Sequence, residues 1–354
     1  MRITGVKAEL VAVSLAKPFV ISLGVIDSAD IVFVKIETDE GLTGYGEGSA
    51  PAFVSGETSE SILAAVELAK PILLGASPFA IAEIHRALDA VMVRNGSAKC
   101  AIDLALYDLM AKSADLPLYA YLGGTVNRVE TDMTIGIGEP AAMAATAAEL
   151  TAAGYRELKI KAGSDEEQDR EAIRLIRAAA PSAHLKVDAN QGWTVASALR
   201  MLAYYAQFSV GALEQPLPYW DIDGMAEVRA RSTIPIMADE SCFTPQDASR
   251  IVRARAADTI NIKLMKCGGI FRALEINAIA EAANVTTMLG CMLESRLAIA
   301  AGAHLVAARR NFVFADLDSF RDFDDSAQIK SAFDFELPDI VLSQTPGIGV
   351  ELAF

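Results

Sequence analysis

The segments ELKIK at Glu157–Lys161 and HLKVD at His184–Asp188 decide the fold of this chain. Each is a short apolar run that ends in a charged residue, and each is typical of a buried β-strand. Six similar runs occur from residue 131 onward at intervals of about 25 residues, the length of one β/α unit. These further strands are predicted at Thr131–Gly136, Val210–Glu214, Ile234–Asp239, Thr259–Leu264, Thr287–Leu293 and Phe312–Asp318.

Helical patterns lie between these strands, and this alternation predicts a parallel sheet. The helices are expected near Pro140–Ala153, Glu166–Ala180, Val195–Gln207, Pro245–Arg255 and Ile270–Ala283. Eight evenly spaced units favour an α/β fold whose strands close into a TIM-like (β/α)8-type barrel over a doubly wound sheet. In such barrels the chemistry takes place at the carboxyl ends of the strands.

The N-terminal part has a different pattern, in which strands precede a block of helices. A hairpin is predicted from Ile31–Glu37 and Leu42–Gly46, and helices from Glu60–Leu74, Pro78–Met92 and Ala98–Ala114. Gly44, Gly46 and Gly48 belong to this hairpin and open no helix, so they are not a dinucleotide-binding fingerprint. We expect an α+β capping domain at 1–125, the barrel at 126–320 and a C-terminal segment at 321–354 that packs back on the capping domain.

Composition excludes several classes of partner. The 354 residues carry a formal net charge of -15, which argues against binding to nucleic acid or to an anionic membrane surface. The four cysteines are far apart and form no C-x-x-C pair, which favours free buried thiols over a zinc ribbon or a disulfide framework. The first residues lack a secretory pattern, and no apolar run is long enough to cross a bilayer. We therefore expect a cytoplasmic protein.

Charged residues end the predicted barrel strands at nearly every position around one rim. Three are carboxylates on adjacent strands: Asp188, Glu214 and Asp239. Carboxylate oxygens from neighbouring strands can share one octahedral ion, and a ligand set without histidine or cysteine suits Mg2+, with Mn2+ as a substitute. Alternatively, each acid could form an ion pair with a structural lysine. Because burial of so many charges is costly unless they pair or bind metal, a functional rim is favoured.

Lys159 and Lys161 lie two residues apart on one strand, so both side chains point into the barrel. Their mutual repulsion and a nearby metal ion are expected to lower a lysine pKa towards the range of a general base. Lys263 ends the strand four places further round and would face them across the lumen, unless it is an ordinary rim lysine. Bases on both sides of one carbon permit deprotonation on one face and reprotonation on the other.

Two further carboxylates, Asp316 and Asp318, form an Asp-x-Asp pair on the last strand. Such a pair, away from the metal, could hold the cationic end of a substrate, or it could begin a loop or cap a helix. Polar residues beside the main candidates are expected to support them through hydrogen bonds: Asn190, Gln215, Glu240 and Glu294. The three histidines do not cluster, so neither a histidine relay nor a Ser/His/Asp triad is supported.

Several motifs together resemble the enolase superfamily, in its muconate-lactonizing-enzyme subgroup, over essentially the whole chain. They are LKIK at Leu158–Lys161, VDANQGW at Val187–Trp193, LEQP at Leu213–Pro216, ADES at Ala238–Ser241 and NIKLMKCGG at Asn261–Gly269. The resemblance implies a modified (β/α)7β barrel under a capping domain, and a homo-oligomer. It also implies lysine bases that work with Mg2+ through an ene-diolate, as in other members of the superfamily.

Within the subgroup, CMLES at Cys291–Ser295 followed by DLD at Asp316–Asp318 is most similar to dipeptide epimerases of the L-Ala-D/L-Glu epimerase type. This implies a Mg2+-dependent epimerase acting at the α-carbon of the C-terminal residue of an L,L-dipeptide. Lys161 and Lys263 would be the acid/base catalysts, and Lys159 would stabilise the enolate charge. The Asp-x-Asp pair would bind the α-ammonium, and Met292 and Glu294 would also belong to the substrate-binding residues.

One departure from the epimerase pattern concerns the loop near residue 20. Epimerases that prefer Ala-Glu carry an arginine soon after a Lys-Pro-Phe-like segment, and the matching position here is Gly24. We therefore hypothesise a neutral or apolar second residue in the dipeptide. Its contacts are expected from residues that could equally be ordinary packing: Phe19, Leu23, Gly24, Ile26 and Phe53.

Two alternative functions stay open from the sequence. N-acylamino-acid racemases, o-succinylbenzoate synthases and muconate cycloisomerases share the metal and the lysines, but their substrates offer an acidic pair nothing cationic to bind. A barrel kept as a binding or structural protein is the other alternative, against which the intact metal ligands and lysines argue.

Overall fold

The computed structural model describes residues 1–21, 24–49, 51–323, 328–330 and 333–353, and for 14–21 and 24–29 it describes the backbone alone. An antiparallel sheet forms first from β1 Ile3–Ile21, β2 Gly24–Thr38 and β3 Thr43–Gly48, paired in that order. The helices that follow are α1 Ala52–Ser55, α2 Ser59–Leu73, α3 Ile81–Val91, α4 Gly96–Ser113 and α5 Leu118–Tyr121. The predicted hairpin and helices are confirmed, and β1 is a strand that the sequence pattern did not reveal.

Helix α4 joins the two parts of the molecule. One of its faces contributes Ile102 and Leu106 to the apolar cluster beneath the N-terminal sheet, and another contributes Cys100 and Leu104 to the cluster of the barrel. Strand β3 lies so close to α4 that a side chain at Gly46 would collide with the helix backbone. Close packing therefore accounts for this glycine, in agreement with the rejection of a dinucleotide fingerprint.

After the short strand β4 Arg128–Glu130, eight parallel strands pair in chain order. They are β5 Met133–Ile135, β6 Glu157–Lys161, β7 His184–Asp188, β8 Val210–Glu214, β9 Ile236–Ala238, β10 Thr259–Lys263, β11 Thr286–Gly290 and β12 Phe312–Asp316. The helices between them are α6 Pro140–Ala153, α7 Glu166–Ala179, α8 Val195–Tyr205, α9 Ile222–Arg231, α10 Pro245–Ala254, α11 Leu264–Cys267, α12 Ile270–Ala282 and α13 Arg296–Ala308, with 3-10 helices at Ala206–Phe208 and Ser319–Asp322.

Hydrogen bonds bridge the seam between the first and last barrel strands. Asp132 N donates to Ala315 O at 3.1 Å, and Leu317 N donates to Thr131 Oγ1 at 2.9 Å. The sheet is thus a nearly closed barrel, as predicted. Because β11 ends at Gly290, earlier than expected, the residues that follow it form a loop at the carboxyl rim.

The C-terminal segment contacts both parts of the molecule. Strands β13 Phe333–Glu336 and β14 Asp339–Leu342 form a hairpin, and β14 pairs with β4. Further along, Gly347 O accepts a hydrogen bond from Leu118 N at 2.8 Å, and Ile348 N donates to Asp108 Oδ1 at 2.8 Å. Across the described ranges, the chain contains no helix that is both long and apolar enough to span a membrane.

Buried carboxylates of the N-terminal part cap two barrel helices. Glu47 on β3 accepts hydrogen bonds from Ser295 N at 2.8 Å and Ala298 N at 3.2 Å, where α13 begins. Asp103 on α4 accepts from Ile270 N at 2.5 Å where α12 begins, and it also pairs with His85 at 2.7 Å. Negative charge at a helix N-terminus satisfies unpaired N–H groups, so these contacts hold the two parts together.

Candidate active site

The three predicted metal-ligating carboxylates meet at the carboxyl end of the barrel. Asp188 ends β7 and lies beside Glu214, which ends β8, while Asp239 directly follows β9. All three side chains are buried, and one oxygen of each lies within 4.8 Å of the others. One ion could therefore contact all three.

Lysines surround this carboxylate triad. Lys159 Nζ lies 2.7 Å from Asp316, 2.9 Å from Glu214 and 3.1 Å from Asp188. Lys161 Nζ lies 2.8 Å from Asp188 Oδ2, at one edge of the triad. Lys263 Nζ lies 2.9 Å from Asp239 Oδ2, at the other edge. The two predicted catalytic lysines therefore approach the triad from β6 and β10, which are separated by three strands.

The carboxylates raise the pKa values of two of these lysines. Burial lowers the pKa of Lys159, but Asp316 and the other carboxylates outweigh burial and leave that pKa well above its ordinary value. Burial also acts to lower the pKa of Lys263, but attraction to Asp239 exceeds this effect and leaves the pKa above its ordinary value. The lowering was expected for the pair on β6 with a metal ion beside it. Without that ion, attraction to the carboxylates exceeds repulsion from neighbouring lysines at Lys159. A cation on the same carboxylates would oppose that attraction.

The carboxylates of the triad have unequal proton affinities. Burial, reinforced by Asp188, raises the pKa of Glu214 to about 7. Burial also acts to raise the pKa of Asp188 and Asp239, but the neighbouring lysines outweigh it and leave both lowered. Two acids are thus held ionised by lysines, whereas Glu214 would gain most from a further positive charge.

The donor set fits a hard divalent cation. Glu214 Oε2 and Asp239 Oδ2 are buried and have no hydrogen-bond partner among the described residues, although a lysine nitrogen lies 2.9 Å from each. Buried carboxylate oxygens without hydrogen bonds are costly unless a cation binds them. A set of three oxygen ligands without sulfur or imidazole suits Mg2+.

Hydrogen bonds from neighbouring side chains hold two of the candidate metal-binding carboxylates. Lys266 Nζ lies 2.5 Å from both Asp239 Oδ1 and the carbonyl oxygen of the same residue. Asn261 Nδ2 donates to Glu214 Oε1 at 2.7 Å, and Gln215 Oε1 accepts from Asp239 N at 2.9 Å. The structure thus places Gln215 beside the triad, where support was predicted. Asn261 was missed, and the available signal was its inward-facing position two residues before Lys263.

The Asp-x-Asp pair lies beside Lys159. Asp316 Oδ2 contacts Lys159, which outweighs burial and lowers the pKa of this acid to about 2. Asp318 Oδ2 accepts from Thr134 N at 2.7 Å, and burial with the adjacent Asp316 raises its pKa to about 6. Asp318 precedes the 3-10 helix at Ser319–Asp322 but makes no side-chain cap, so the helix-capping alternative is not supported.

A cavity opens above these groups between the barrel rim and the N-terminal part. Its polar lining consists of Thr134, Lys159, Lys161, Asn190, Glu240, Lys263, Asp316, Asp318, Ser319 and Asp322. Its remaining lining consists of Pro51, Phe53, Val54, Cys291, Met292 and Leu293. Among the residues not singled out as site candidates, Thr134 and Asp322 carry no distinguishing sequence signal, whereas Cys291 and Leu293 lie in the CMLES segment.

One predicted substrate contact does not line the cavity. Glu294 does not belong to the lining, because its side chain turns back to accept a hydrogen bond from Met292 N at 2.8 Å and is only 2% exposed. Phe53 does line the cavity and is 45% exposed. For the loop near residue 20, the backbone pairs Phe19 with Ile26 and places Gly24 at the start of β2, while Leu23 lies outside the described residues.

Two sequence families match this chain. Residues 3–123 match the family described as mandelate racemase/muconate lactonizing enzyme, N-terminal domain, and residues 142–353 match the enolase C-terminal domain-like family. The chain therefore belongs to the mandelate racemase/muconate lactonizing enzyme family of the enolase superfamily, which confirms the resemblance seen in its motifs.

Individual relatives are epimerases. A hydrophobic dipeptide epimerase from Enterococcus faecalis is 42% identical over 353 residues, which cover 99% of each chain. An L-Ala-D/L-Glu epimerase from Clostridium acetobutylicum is 39% identical over 348 residues, or 96% of each chain. The crystal structure of the Enterococcus faecalis dipeptide epimerase complexed with Mg and the dipeptide L-Leu-L-Tyr matches with a TM-score of 0.97, over 99% of this chain and 100% of that one. The predicted fold is thereby confirmed.

Proposed function

We propose that this protein is a Mg2+-dependent dipeptide epimerase that inverts the α-carbon of the C-terminal residue of an L,L-dipeptide. The observation that carries the proposal is the arrangement of Lys161 and Lys263 at opposite edges of one buried carboxylate triad. Inversion by proton transfer needs a base on each face of the carbon, and the two lysines supply such a pair. The similarity to dipeptide epimerases supports the same activity.

The residues divide the reaction between them. Asp188, Glu214 and Asp239 would hold the Mg2+ ion, which when bound supplies positive charge to the carboxylate of the substrate. One of the two lysines removes the α-proton, and the other returns a proton to the opposite face. Lys159, placed among the carboxylates, adds an ammonium where ene-diolate charge develops on the substrate, so it stabilises the transition state more than the ground state.

The acidic pair supports a substrate with a free amine. Lys159 already neutralises Asp316, whereas Asp318 contributes a further carboxylate to the cavity. An α-ammonium group would pair with that charge. N-acylamino acids, the substrates of the related racemases, lack this cation, and burying the acid against them would leave its charge unpaired. The dipeptide proposal is therefore favoured over the other reactions of the subgroup.

The second residue of the dipeptide is proposed to be neutral or apolar. Among the described side chains that line the cavity, the apolar group is Pro51, Phe53, Val54, Met292 and Leu293, and no arginine is present. An acidic side chain would leave its charge without a partner there. The hydrophobic dipeptide epimerase among the relatives agrees with this preference.

Assembly and location complete the proposal. We propose a cytoplasmic homo-oligomer that binds neither nucleic acid nor membranes, with domains at 1–125, 126–320 and 321–354. The net charge of -15 supports the absence of nucleic-acid and membrane binding, and the four free thiols fit a reducing compartment. Sedimentation velocity of the purified protein tests the oligomer, and a single species with the mass of one chain would contradict it.

The test of the activity is a library of L,L-dipeptides incubated in D2O with the enzyme and Mg2+, followed by mass spectrometry and chiral chromatography. We expect deuterium at the C-terminal α-carbon together with the L,D product, and neither after chelation of the metal. Ala-Leu and Ala-Phe should exceed Ala-Glu by about tenfold or more in kcat/KM. A tenfold preference for Ala-Glu would refute the apolar specificity, and no exchange with any dipeptide would refute the activity itself.

A further inference from the structure

The two lysines proposed as acid/base catalysts are held in different ways. Lys161 Nζ has two partners, Asp188 Oδ2 at 2.8 Å and Asn190 Oδ1 at 3.0 Å. Lys263 Nζ pairs with Asp239 Oδ2 at 2.9 Å, and within the described ranges this carboxylate is its one hydrogen-bond or ion-pair partner. Lys161 therefore accepts restraint from a neutral amide as well as a carboxylate, whereas the described residues give Lys263 a carboxylate alone.

Asn190 is itself fixed in place. Its Nδ2 donates to Glu240 Oε1 at 3.2 Å, and its backbone N donates to Asp188 Oδ1 at 2.9 Å. Its φ of 39° lies in the left-handed region, which asparagine tolerates better than most residues. Asn190 and Glu240 are each 5% exposed and both line the cavity. The amide oxygen thus has a defined direction, towards Lys161.

We propose that Asn190, oriented by Glu240, is a positioning residue for Lys161 alone, so that it supports proton transfer on one face of the α-carbon and not on the other. The inference rests on the proposed epimerase function. Asp188 is also a proposed metal ligand, so the amide oxygen of Asn190 is the partner of Lys161 that metal binding does not engage. The hydrogen bond restrains the ammonium on its flexible four-carbon stem, and restraint of a reacting group contributes to rate.

The expected effect follows from the kind of hydrogen bond. The hydrogen bond from the Lys161 ammonium to the Asn190 amide involves a charged donor. Its loss should slow proton transfer by Lys161 by about tenfold or more. No hydrogen bond joins the described side chains of Asn190 and Lys263, so the step that Lys263 performs should change by less than about threefold. The expected result is a difference between the two epimers of one substrate, which a general loss of stability would not produce.

The experiment measures the loss of the α-proton NMR signal in D2O separately for the L,L and the L,D epimer of one dipeptide. Lys161→Ala and Lys263→Ala first assign each epimer to the lysine that deprotonates it. Asn190→Gly removes the amide and suits the left-handed backbone, and Asn190→Asp restores an acceptor oxygen at the same position. Asn190→Gly should slow the epimer assigned to Lys161, and Asn190→Asp should recover part of that rate.

The control is Asn277→Ala, because Asn277 is a buried amide on α12 that bonds to Thr287 away from the cavity. This variant should leave the ratio of the two exchange rates unchanged. If Asn190→Gly does not fold, Asn190→Ser, which shortens the side chain and removes the amide, should slow exchange of the same epimer. The inference would be overturned if Asn190→Gly slowed α-proton exchange equally in both epimers, or mainly in the epimer assigned to Lys263. Failure of Asn190→Asp to recover any of the exchange rate would also overturn it. Absence of exchange by the unaltered enzyme would refute the proposed function instead.

Discussion

Buried carboxylates occur in two regions of this protein, and their partners differ. In the interface between the N-terminal part and the barrel, Glu47 and Asp103 accept hydrogen bonds from backbone N–H groups where barrel helices begin. In the barrel rim, Glu214 and Asp239 each keep an oxygen without a hydrogen bond among the described residues, although lysines stand beside them. From this comparison we infer that the interface acids serve assembly, and that the rim acids are suited to binding a cation.

Because their partners differ, removal of an interface acid and removal of a rim acid should have opposite effects on stability. Donors satisfy the interface acids, so removal of one leaves helix N–H groups unpaired and should destabilise the fold. Burial and repulsion from Asp188 raise the pKa of Glu214 to about 7, so removal of its charge should cost activity and spare stability. Stability and activity measurements on matched variants can therefore separate the two regions.

The largest effect is expected in the rim. Glu214→Gln keeps the shape of the side chain but removes a charge that the bound cation requires, so kcat/KM for an apolar dipeptide should fall by at least about a thousandfold. The free energy of unfolding should stay the same or rise, because a poorly solvated charge has been removed. Steady-state kinetics and urea denaturation give both numbers. Retained activity, or a marked loss of stability, would remove the distinction between the regions.

The interface is expected to respond in the opposite way. Asp103→Asn weakens the cap of α12 and the pair with His85, and should lower the free energy of unfolding by about 3 kcal/mol. The folded fraction should keep kcat/KM within about threefold, because this residue lies outside the cavity lining. Urea denaturation at a fixed Mg2+ concentration measures the first quantity. A stability equal to that of the unaltered chain would show that the cap contributes little.

The smallest effect concerns pH and another interface group. His304 on α13 accepts from Tyr119 N at 3.0 Å and contacts Ile348 O at 3.2 Å, and burial lowers its pKa to about 4. As the pH falls below the ordinary pKa of histidine, the unfolded chain binds a proton at His304 before the folded chain does. Stability is therefore lost between the ordinary pKa and the lower pKa of the folded protein. Through His304 the free energy of unfolding should be about 2 kcal/mol lower at pH 5 than at pH 7.

The variant His304→Gln isolates this contribution. It should be less stable than the unaltered chain at pH 7, because a glutamine repeats the two hydrogen bonds imperfectly, but its stability should change less between pH 7 and pH 5. Urea denaturation of both proteins at these two values provides the comparison. An identical pH dependence in the two proteins would show that His304 is not the group that titrates.

The parts of the fold and site that repeat along the chain could be predicted. A charged residue lies at the end of most predicted barrel strands, so the spacing of Asp188, Glu214 and Asp239 alone predicts that they lie at adjacent strand ends. The same reasoning located Lys161 and Lys263 at separate positions around the rim. Their catalytic and metal-binding roles stay predictions until the variants are measured.

Other features depend on distances that no periodicity encodes. The interface acids bind backbone N–H groups, as Asp103 does at Ile270, and a backbone group leaves no sequence signature. The direction of the lysine pKa shifts depends on how many carboxylates approach each nitrogen, and three lie within about 3 Å of Lys159. Glu294 was expected among the substrate contacts because of its motif, but a local bond to Met292 turns it away.

The most direct test of the difference between rim and interface is isothermal titration of Mg2+ into the metal-free enzyme and its two matched variants. We expect one ion per chain for the unaltered protein and for Asp103→Asn, with similar affinity, and a loss of at least about a hundredfold in affinity for Glu214→Gln. Equal Mg2+ affinity in all three proteins would contradict this expectation, because the rim carboxylates would then not be the ligands.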